Sequence, residues 1–307
     1  MLSSPEFAPE QTVAANVARI VRGRLTEILH TLASHPDGDA PAAAAVHDAR
    51  RGLKRLRALL RLARAGLGEE TFRRENAAAR DAGRELSAAR DAQVLAAAFD
   101  ALRPVLAGRV AAETPGRIAA RLQAGTEAAV AALRSEERVP HAVALLTAAR
   151  ERLDAWTWQS EEDGWSVLGT GLRKTYRAAR RALRRAAKGG AEDEFHEWRK
   201  QVKHLGAHVA LLRPLCPEQA DKTAGKLGRL ADLLGDEHDL AVLAATVAGF
   251  GEAVLPPDDL TAVTGIIAER QTALRRQARR RGRRLFDERP GEFARRWGKR
   301  WTKWRVN

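Results

Sequence analysis

The chain has 307 residues, with 53 Lys and Arg against 39 Asp and Glu, so its formal net charge is +14 and its sequence pI is about 10.9. Its one cysteine excludes an intrachain disulfide, and no stretch approaches the ~20 apolar residues of a membrane span. A positive surplus of this size must be solvated, neutralised by an anionic partner, or both, and the obvious partners are nucleic acid, polyphosphate or an anionic membrane surface.

The first eleven residues predict a tail rather than a targeting segment. They contain Pro5 and Pro9 and lack a basic region followed by an apolar one, so we expect no signal peptide. With no membrane span either, we expect a cytoplasmic protein that does not bind a membrane.

After this tail, composition and periodicity predict an all-α fold. The chain is rich in Ala, Leu, Arg and Glu, which favour helix, and it contains no convincing alternating strand. Apolar residues recur at helical spacing in the series Val46, Ala49, Leu53, Leu56, Leu60 and the series Val202, Leu205, Val209, Leu212. Helix breakers occur at 36–41, 104–108, 114–116, 140, 160–164, 189–190, 214–217, 256–257 and 290. About ten helical segments between them predict a helical bundle.

Two segments of the chain are repeated in the same order and at nearly the same offset. Val46–Leu56 is similar to Phe195–Leu205, and Leu86–Leu95 is similar to Leu234–Leu243. Two ordered matches at one offset indicate a tandem duplication with a boundary near 160–164. We therefore predict a tail at 1–11, a first helical-bundle half at 12–160 and a second at 161–307. The two antiparallel bundles should pair about a pseudo-two-fold axis.

The repeated segment places basic residues on one helix face and apolar residues on the other, at about 100° per residue. In the first copy the basic face carries His47, Arg50, Arg51, Lys54, Arg57 and Arg61. In the second copy it carries His196, Arg199, Lys200 and Lys203, and Gly206 and Ala210 stand where Arg57 and Arg61 stood. If the halves pair about the pseudo-two-fold axis, these two faces should meet across one cleft, and a long anion should contact both.

A third basic stripe follows the helix that contains Arg173, Arg177, Arg180 and Arg181. These residues have almost no acidic partners at i±3 or i±4, which a solvated helix normally uses to offset repulsion. The stripe is therefore predicted to contact an anion as well.

The histidines and the repeated acids predict binding rather than catalysis. Among so many cations, His47 and His196 should stay neutral until an anion arrives and should then donate to it. Asp91 and Asp239 are expected to pair with basic side chains and fix their geometry. The chain has no Gly-rich phosphate loop and no carboxylate cluster for Mg²⁺, so we expect no enzyme activity, no metal and no cofactor.

These motifs resemble the CHAD family, the conserved histidine α-helical domain. The similarity rests on His47-x-x-Arg50-Arg51-x-x-Lys54, on its copy at 196–203, and on the pairs at 90–91 and 238–239. It covers about 12–304, including a family-like C-terminal end at Trp297–Trp301. The resemblance implies two helical bundles around a pseudo-two-fold axis and a central basic cleft or pore. It also implies binding of inorganic polyphosphate without catalysis, often at polyphosphate granules.

The basic faces and the resemblance together predict the ligand-binding residues. They are His47, Arg50, Arg51, Lys54, Arg57, Arg61, Arg90, Arg173, Arg177, Arg180, Arg181, His196, Arg199, Lys200 and Lys203. No Glu-x-Glu-x-Lys strand motif is present, so the chain resembles the stand-alone form of the family. The second copy lacks two of the arginines, and His238 replaces the Arg of the Arg90-Asp91 pair. The two halves are therefore expected to bind unequally.

Three other functions remain open at this stage. A nucleic-acid-binding protein is the main alternative, because Arg275–Arg284 could follow a nucleic-acid backbone. However, none of the seven Trp residues interleaves the basic stripes as in single-strand binders. A His phosphotransfer module at His47 is a weaker alternative, since such a module needs one accessible His and a receiver. A polyphosphate-processing enzyme is the weakest alternative, because the chain lacks a cluster of acidic residues that could bind Mg²⁺.

Overall fold

The computed structural model describes residues 6–33, 43–135, 138–160 and 164–306, and contains no strand within these ranges, which confirms the all-α prediction. The described helices are α1 (Val13–Ala33), α2 (Ala43–Leu62), α3 (Arg64–Leu67), α4 (Glu69–Glu85), α5 (Ala88–Leu106), α6 (Thr114–Ser135), α7 (Arg138–Glu151), α8 (Trp165–Lys188), α9 (Glu192–Leu211), α10 (Pro217–Ala248), α11 (Pro257–Leu285) and α12 (Pro290–Val306). Short 3₁₀ helices cover Arg152–Ala155 and Arg213–Leu215. The predicted break at 36–41 and residues 161–163 of the predicted boundary lie outside the described residues.

Proline and glycine set several helix boundaries, as the sequence predicts. Pro217, Pro257 and Pro290 each begin a helix, where the missing N–H has no intrahelical partner to lose. Gly190 follows α8 with φ of +73° and allows the chain to reverse into α9.

The second repeated segment has a different secondary structure in the two copies. Leu86–Leu95 spans the turn between α4 and α5, whereas Leu234–Leu243 lies inside the 32-residue α10.

The larger hydrophobic core is formed by α1, α2, α4 and α7 together with α8, α9, α12 and the first part of α10. Trp198 of α9 and Trp297 of α12 are fully buried in it. Where α9 crosses α2, the buried His208 donates from Nε2 to the Ala58 carbonyl at 3.0 Å. Burial holds the pKa of His208 at about 3, so its imidazole is neutral in the folded protein.

A second core joins the hairpin of α5 and α6 to the C-terminal part of α10 and the first part of α11. It contains Phe99 and Ile118 from the first hairpin, and Leu243 and Ile267 from the second. Because α10 contributes to both cores, it carries α5 to a position beside α2 and α9. The division into halves and the pseudo-two-fold axis remain predictions. No helix in the described ranges is long and apolar enough to cross a membrane.

Candidate anion-binding cleft

A cavity of about 500 Å³ lies between α2, α5, α9 and α10. It is lined by His47, Arg50, Arg51, Lys54, Arg90, Asp91, Val94, Leu95, Arg199, Lys203, His238, Asp239 and Val242. Six of these side chains are cationic at neutral pH and two are carboxylates. The sequence assigned the basic residues to separate helices, and the fold brings them to one cleft.

Amphipathic patterning directs the two repeated motifs into this cleft. On α2, Leu53 and Leu56 are buried while Lys54 is exposed. On α9, Val202 is buried and Lys203 is exposed in the same way. Because the apolar faces of both helices pack into the larger core, their basic faces turn toward each other across the cavity.

Arg50 is the most firmly held cation of the cleft. It donates from Nη1 to the Leu86 carbonyl at 2.8 Å and from Nη2 to Asp91 Oδ1 at 3.2 Å. Its side chain is 14% exposed against 64% for Asp91. Asp91 thus pairs with Arg50 while most of its side chain stays exposed, an arrangement that fits the positioning role predicted for this acid.

Lys54 and Lys203 have no ion pair or hydrogen bond within the described part of the chain. Partial desolvation, followed by the charges of Arg199 and Lys54, lowers the pKa of Lys203 to about 8. Desolvation and the neighbouring Arg50 and Arg199 also lower the pKa of Lys54. An anion in the cleft would relieve this repulsion.

A histidine pair lies at the edge of the cleft: His238 lines the cavity, whereas His196 is not among the lining residues and contacts His238. The Nδ1 atoms of His196 and His238 are 3.3 Å apart, and the ring centroids are 4.5 Å apart. Burial, Arg199 and His196 together lower the pKa of His238 to about 4. Burial and then Lys200 lower the pKa of His196. Both rings are thus neutral at neutral pH, so one Nδ1 donates and the other accepts.

Asp239 lies in the cleft beside Arg199 and Lys203, whose charges lower its pKa, but burial outweighs them and raises it overall. Arg199 keeps an unsatisfied donor, since its buried Nε has no hydrogen-bond partner among the described residues. The same ranges contain no group of three or more His, Cys, Asp and Glu side chains arranged to hold a metal ion.

Several predicted ligands lie outside this cavity. Arg57 donates to Asn76 Oδ1 at 3.1 Å, and Lys200 pairs with Glu197 at 2.8 Å. Arg61 instead lines a cavity of about 160 Å³ that it shares with Lys174 of α8. These three side chains do not line the cleft, because their positions around or along the helix differ from those of the neighbours that do.

The α8 stripe does not line the cleft either. The described lining of the cavity contains none of Arg173, Arg177, Arg180 and Arg181. Arg173, Arg177 and Arg181 are exposed, and Arg180 donates to the Asp287 carbonyl at 3.4 Å. The stripe occupies the solvent face of α8, because the opposite face, with Leu172 and Ala179, packs into the core. Whether it contacts a ligand remains a prediction.

His238 is the cleft residue that the predicted binding set omitted. The repeat contained the signal, since His238 occupies the position of Arg90 in the second copy. The apolar wall formed by Val94, Leu95 and Val242 had no comparable signal, because it depends on how α5 packs against α10.

The arginine-rich segment 275–284 is only partly available to a ligand. Arg275 pairs with the buried Glu237 at 2.7 Å, and Arg279 donates from Nη2 to the Ala186 carbonyl at 2.7 Å. Both guanidinium groups also lie over the ring of Phe195. These two arginines tie α11 to α8, α9 and α10, so the segment does not present a continuous basic track.

Comparison with known proteins agrees with this architecture. The family model described as CHAD domain matches residues 23–248. No curated protein matches the chain. Among solved structures, PptA from Streptomyces chartreusis is similar with a TM-score of 0.66 and 14% sequence identity, and the match covers 91% of this chain and 100% of that one. At that identity the likeness shows a shared fold. Since the family model spans most of the chain and includes both His motifs, this protein belongs to the CHAD family.

Proposed function

We propose that this protein binds inorganic polyphosphate in the cleft between α2, α5, α9 and α10, without catalysing a reaction on it. The observation that carries the proposal is the convergence of six cations on one cavity, with both repeated motifs contributing. Membership of the CHAD family supports the choice of ligand, since the resemblance of the motifs implies polyphosphate binding. Association with polyphosphate granules in the cytoplasm would follow from the same affinity.

The chemistry of the lining favours a phosphate chain over a nucleic acid. Arg50 and Arg199 offer planar guanidinium groups that can contact two phosphate oxygens at once. Lys54 and Lys203 are point charges that can follow a flexible chain. The described lining has no Trp, Tyr or Phe on which a base could stack. A ligand of repeated anionic groups without bases matches the six cations of the site.

Calorimetric titration with polyphosphates of graded length tests the proposal. We expect the affinity per binding site to rise with the length of the polyphosphate until one molecule spans the cleft. Longer polyphosphates should change it little. Single-stranded DNA at equal phosphate concentration should compete weakly. Release of orthophosphate should be followed in the same samples, with and without Mg²⁺. Equal competition by DNA would favour the nucleic-acid alternative, and phosphate release that copurifies with the protein would contradict a purely binding role.

Polyphosphate affinity should fall steeply with salt. If the six cations each contact a phosphate, binding releases several counterions, and by analogy with nucleic acids the slope of log K against log salt should be about −4 to −5. Between 50 and 200 mM NaCl the binding constant should then drop roughly 250- to 1,000-fold. A binding constant that stays level over this range would exclude the basic cleft as the site.

Polyphosphate affinity should also fall above pH 8. The pKa of Lys203 is about 8 in the free protein, and nearby phosphates must raise it in the complex. Its contribution is therefore complete below pH 8 and is lost as pH rises through the higher pKa of the complex, with up to about a tenfold loss of affinity per pH unit. Titrations at pH 7, 8, 9 and 9.5 measure this loss.

The matched variant for the pH series is Lys203→Arg, which keeps the charge throughout the range. We expect its affinity to decline less between pH 8 and 9.5 than that of the parent. Titration near pH 8.5 in buffers of different ionisation enthalpy should show more proton uptake by the parent than by the variant. Identical pH profiles for the two proteins would remove Lys203 from the binding site.

A further inference from the structure

A second cavity, of about 710 Å³, lies where the first part of α10 meets the end of α11 and the start of α12. It is lined by Gln219, Lys222, Thr223, Lys226, Arg229, Arg281, Arg284, Leu285, Asp287, Glu288, Phe293 and Arg296. Six of these side chains are cationic, as in the first cleft, and two are acidic.

Local structure explains how these cations converge. Lys222, Lys226 and Arg229 are spaced four and three residues apart, so they share one face of α10. Arg281 and Arg284 lie at the end of α11 and are exposed. The turn between α11 and α12 is anchored by the buried Tyr176, whose hydroxyl donates to the Glu288 carbonyl at 3.1 Å.

The charges of this cavity are not balanced by the protein. Arg296 pairs with Glu288 at 2.8 Å. The other five cations have no ion pair or hydrogen bond within the residues that the structure describes. Nearby, by contrast, Arg213 is neutralised by Asp221 at 2.9 Å. Five unpaired cations around one concave surface repel each other and concentrate anions there.

The second cavity is separate from the first cleft. Lys226 lines the second and Val242 the first, and both lie on α10, sixteen residues apart. An α-helix turns about 100° and rises about 1.5 Å per residue, so these positions are about 160° apart around the axis and about 24 Å apart along it. A short anion in one cavity cannot reach the other.

We propose that this second cavity binds a linear run of several phosphoryl groups, so that the protein is bivalent for phosphate chains. The choice of ligand class rests on the proposed function, whereas the existence of the site rests on the five unpaired cations. The cavity is too wide for a single phosphate to contact all of them. Its described lining also offers no exposed aromatic ring on which a base could stack, since Phe293 is buried.

Calorimetric titration of the full chain with tripolyphosphate tests the two cavities separately. We expect two sites per parent chain. The variant Lys226→Glu with Arg281→Glu should lose one site and keep the other within about twofold. The variant Lys54→Met with Lys203→Met should lose tripolyphosphate binding at the first cleft and keep it at the second cavity. Arg276→Glu with Arg280→Glu makes the same change of charge on exposed positions of α11 outside both cavities and should keep both sites.

The failures of the two proposals give different results. If Lys226→Glu with Arg281→Glu retains every site of the parent, the second cavity is not a phosphate site, and the proposed function is untouched. If the parent has one site that only this variant abolishes, the second cavity binds phosphate and the proposed function is wrong. The milder pair Lys222→Ala with Arg284→Ala gives the same readout if the charge reversal prevents folding, as judged by circular dichroism.

Bivalency has a consequence that a single site would not give. When cavities and phosphate segments are present in about equal numbers, long-chain polyphosphate should link parent molecules into assemblies that scatter light, because the two cavities of one protein molecule can hold different chains. Either single-cavity variant should bind without this bridging. Equal scattering from the Lys226→Glu, Arg281→Glu variant would contradict bivalency, and tighter binding of an oligothymidylate than of polyphosphate in this cavity would reassign it to nucleic acid.

Discussion

Removing the ammonium charge of Lys54 or Lys203 should weaken polyphosphate binding strongly. Neither lysine has a partner in the described part of the protein, so each charge is available to the ligand. A charge-assisted hydrogen bond contributes about 1.5–3 kcal/mol, so Lys54→Met and Lys203→Met should each raise the Kd roughly 10- to 150-fold. The lysines lie on α2 and α9, so a comparable loss from both would show that one ligand touches both repeated motifs.

The design of these variants separates lost contacts from lost structure. Methionine keeps the length of the side chain and removes only the charge, whereas Arg50→Ala would also break the hydrogen bond to the Leu86 carbonyl. Thermal stability without ligand should stay level or rise, because each variant removes repulsion that lowers lysine pKa values in the cleft. Lys188→Met, at the exposed end of α8, is the control and should bind as the parent does. Parent-like binding by either cleft variant would refute the shared site.

Gly171→Ala should destabilise the protein strongly. A Cβ at Gly171 of α8 would lie 2.1 Å from the carbonyl oxygen of Leu62, at the end of α2. The obstacle is backbone, so α8 and α2 must separate. Overpacking of this kind costs about 1–3 kcal/mol or more, measurable as a lower urea midpoint. Because α2 carries Lys54, polyphosphate affinity should fall as well.

Gly265→Ala is the matched control for this change. Gly265 also lies inside a helix, α11, and a Cβ there would meet nothing within 4 Å. Alanine should stabilise that helix by about 0.5–1 kcal/mol relative to glycine. Opposite signs for the two substitutions would show that the close approach of α8 to α2 is the cause. Equal effects at both positions would mean that helix propensity, not contact, explains the result.

The amino-acid sequence determined the class of fold and much of the first cleft. Helix-forming composition, 3.6-residue periodicity and breakers such as Pro257 and Pro290 depend on local interactions, which a sequence displays directly. The repeated His motif identified the faces of α2 and α9 that carry Lys54 and Lys203. The Arg90-Asp91 pair was found by the same comparison, because a duplicated segment keeps its residue order.

The tertiary structure decided which of the predicted basic residues line the cleft. The α8 stripe and the α2 face read alike in sequence, yet α2 turns its cations toward α9 while α8 turns Arg177 to solvent. Arg275 and Arg279 looked like surface charges and are instead held by Glu237 and a backbone carbonyl. Helical periodicity fixes the angle of a residue around its own axis, but it carries no information about the neighbouring helix. The second cavity, built from α10, α11 and α12, is a property of that packing.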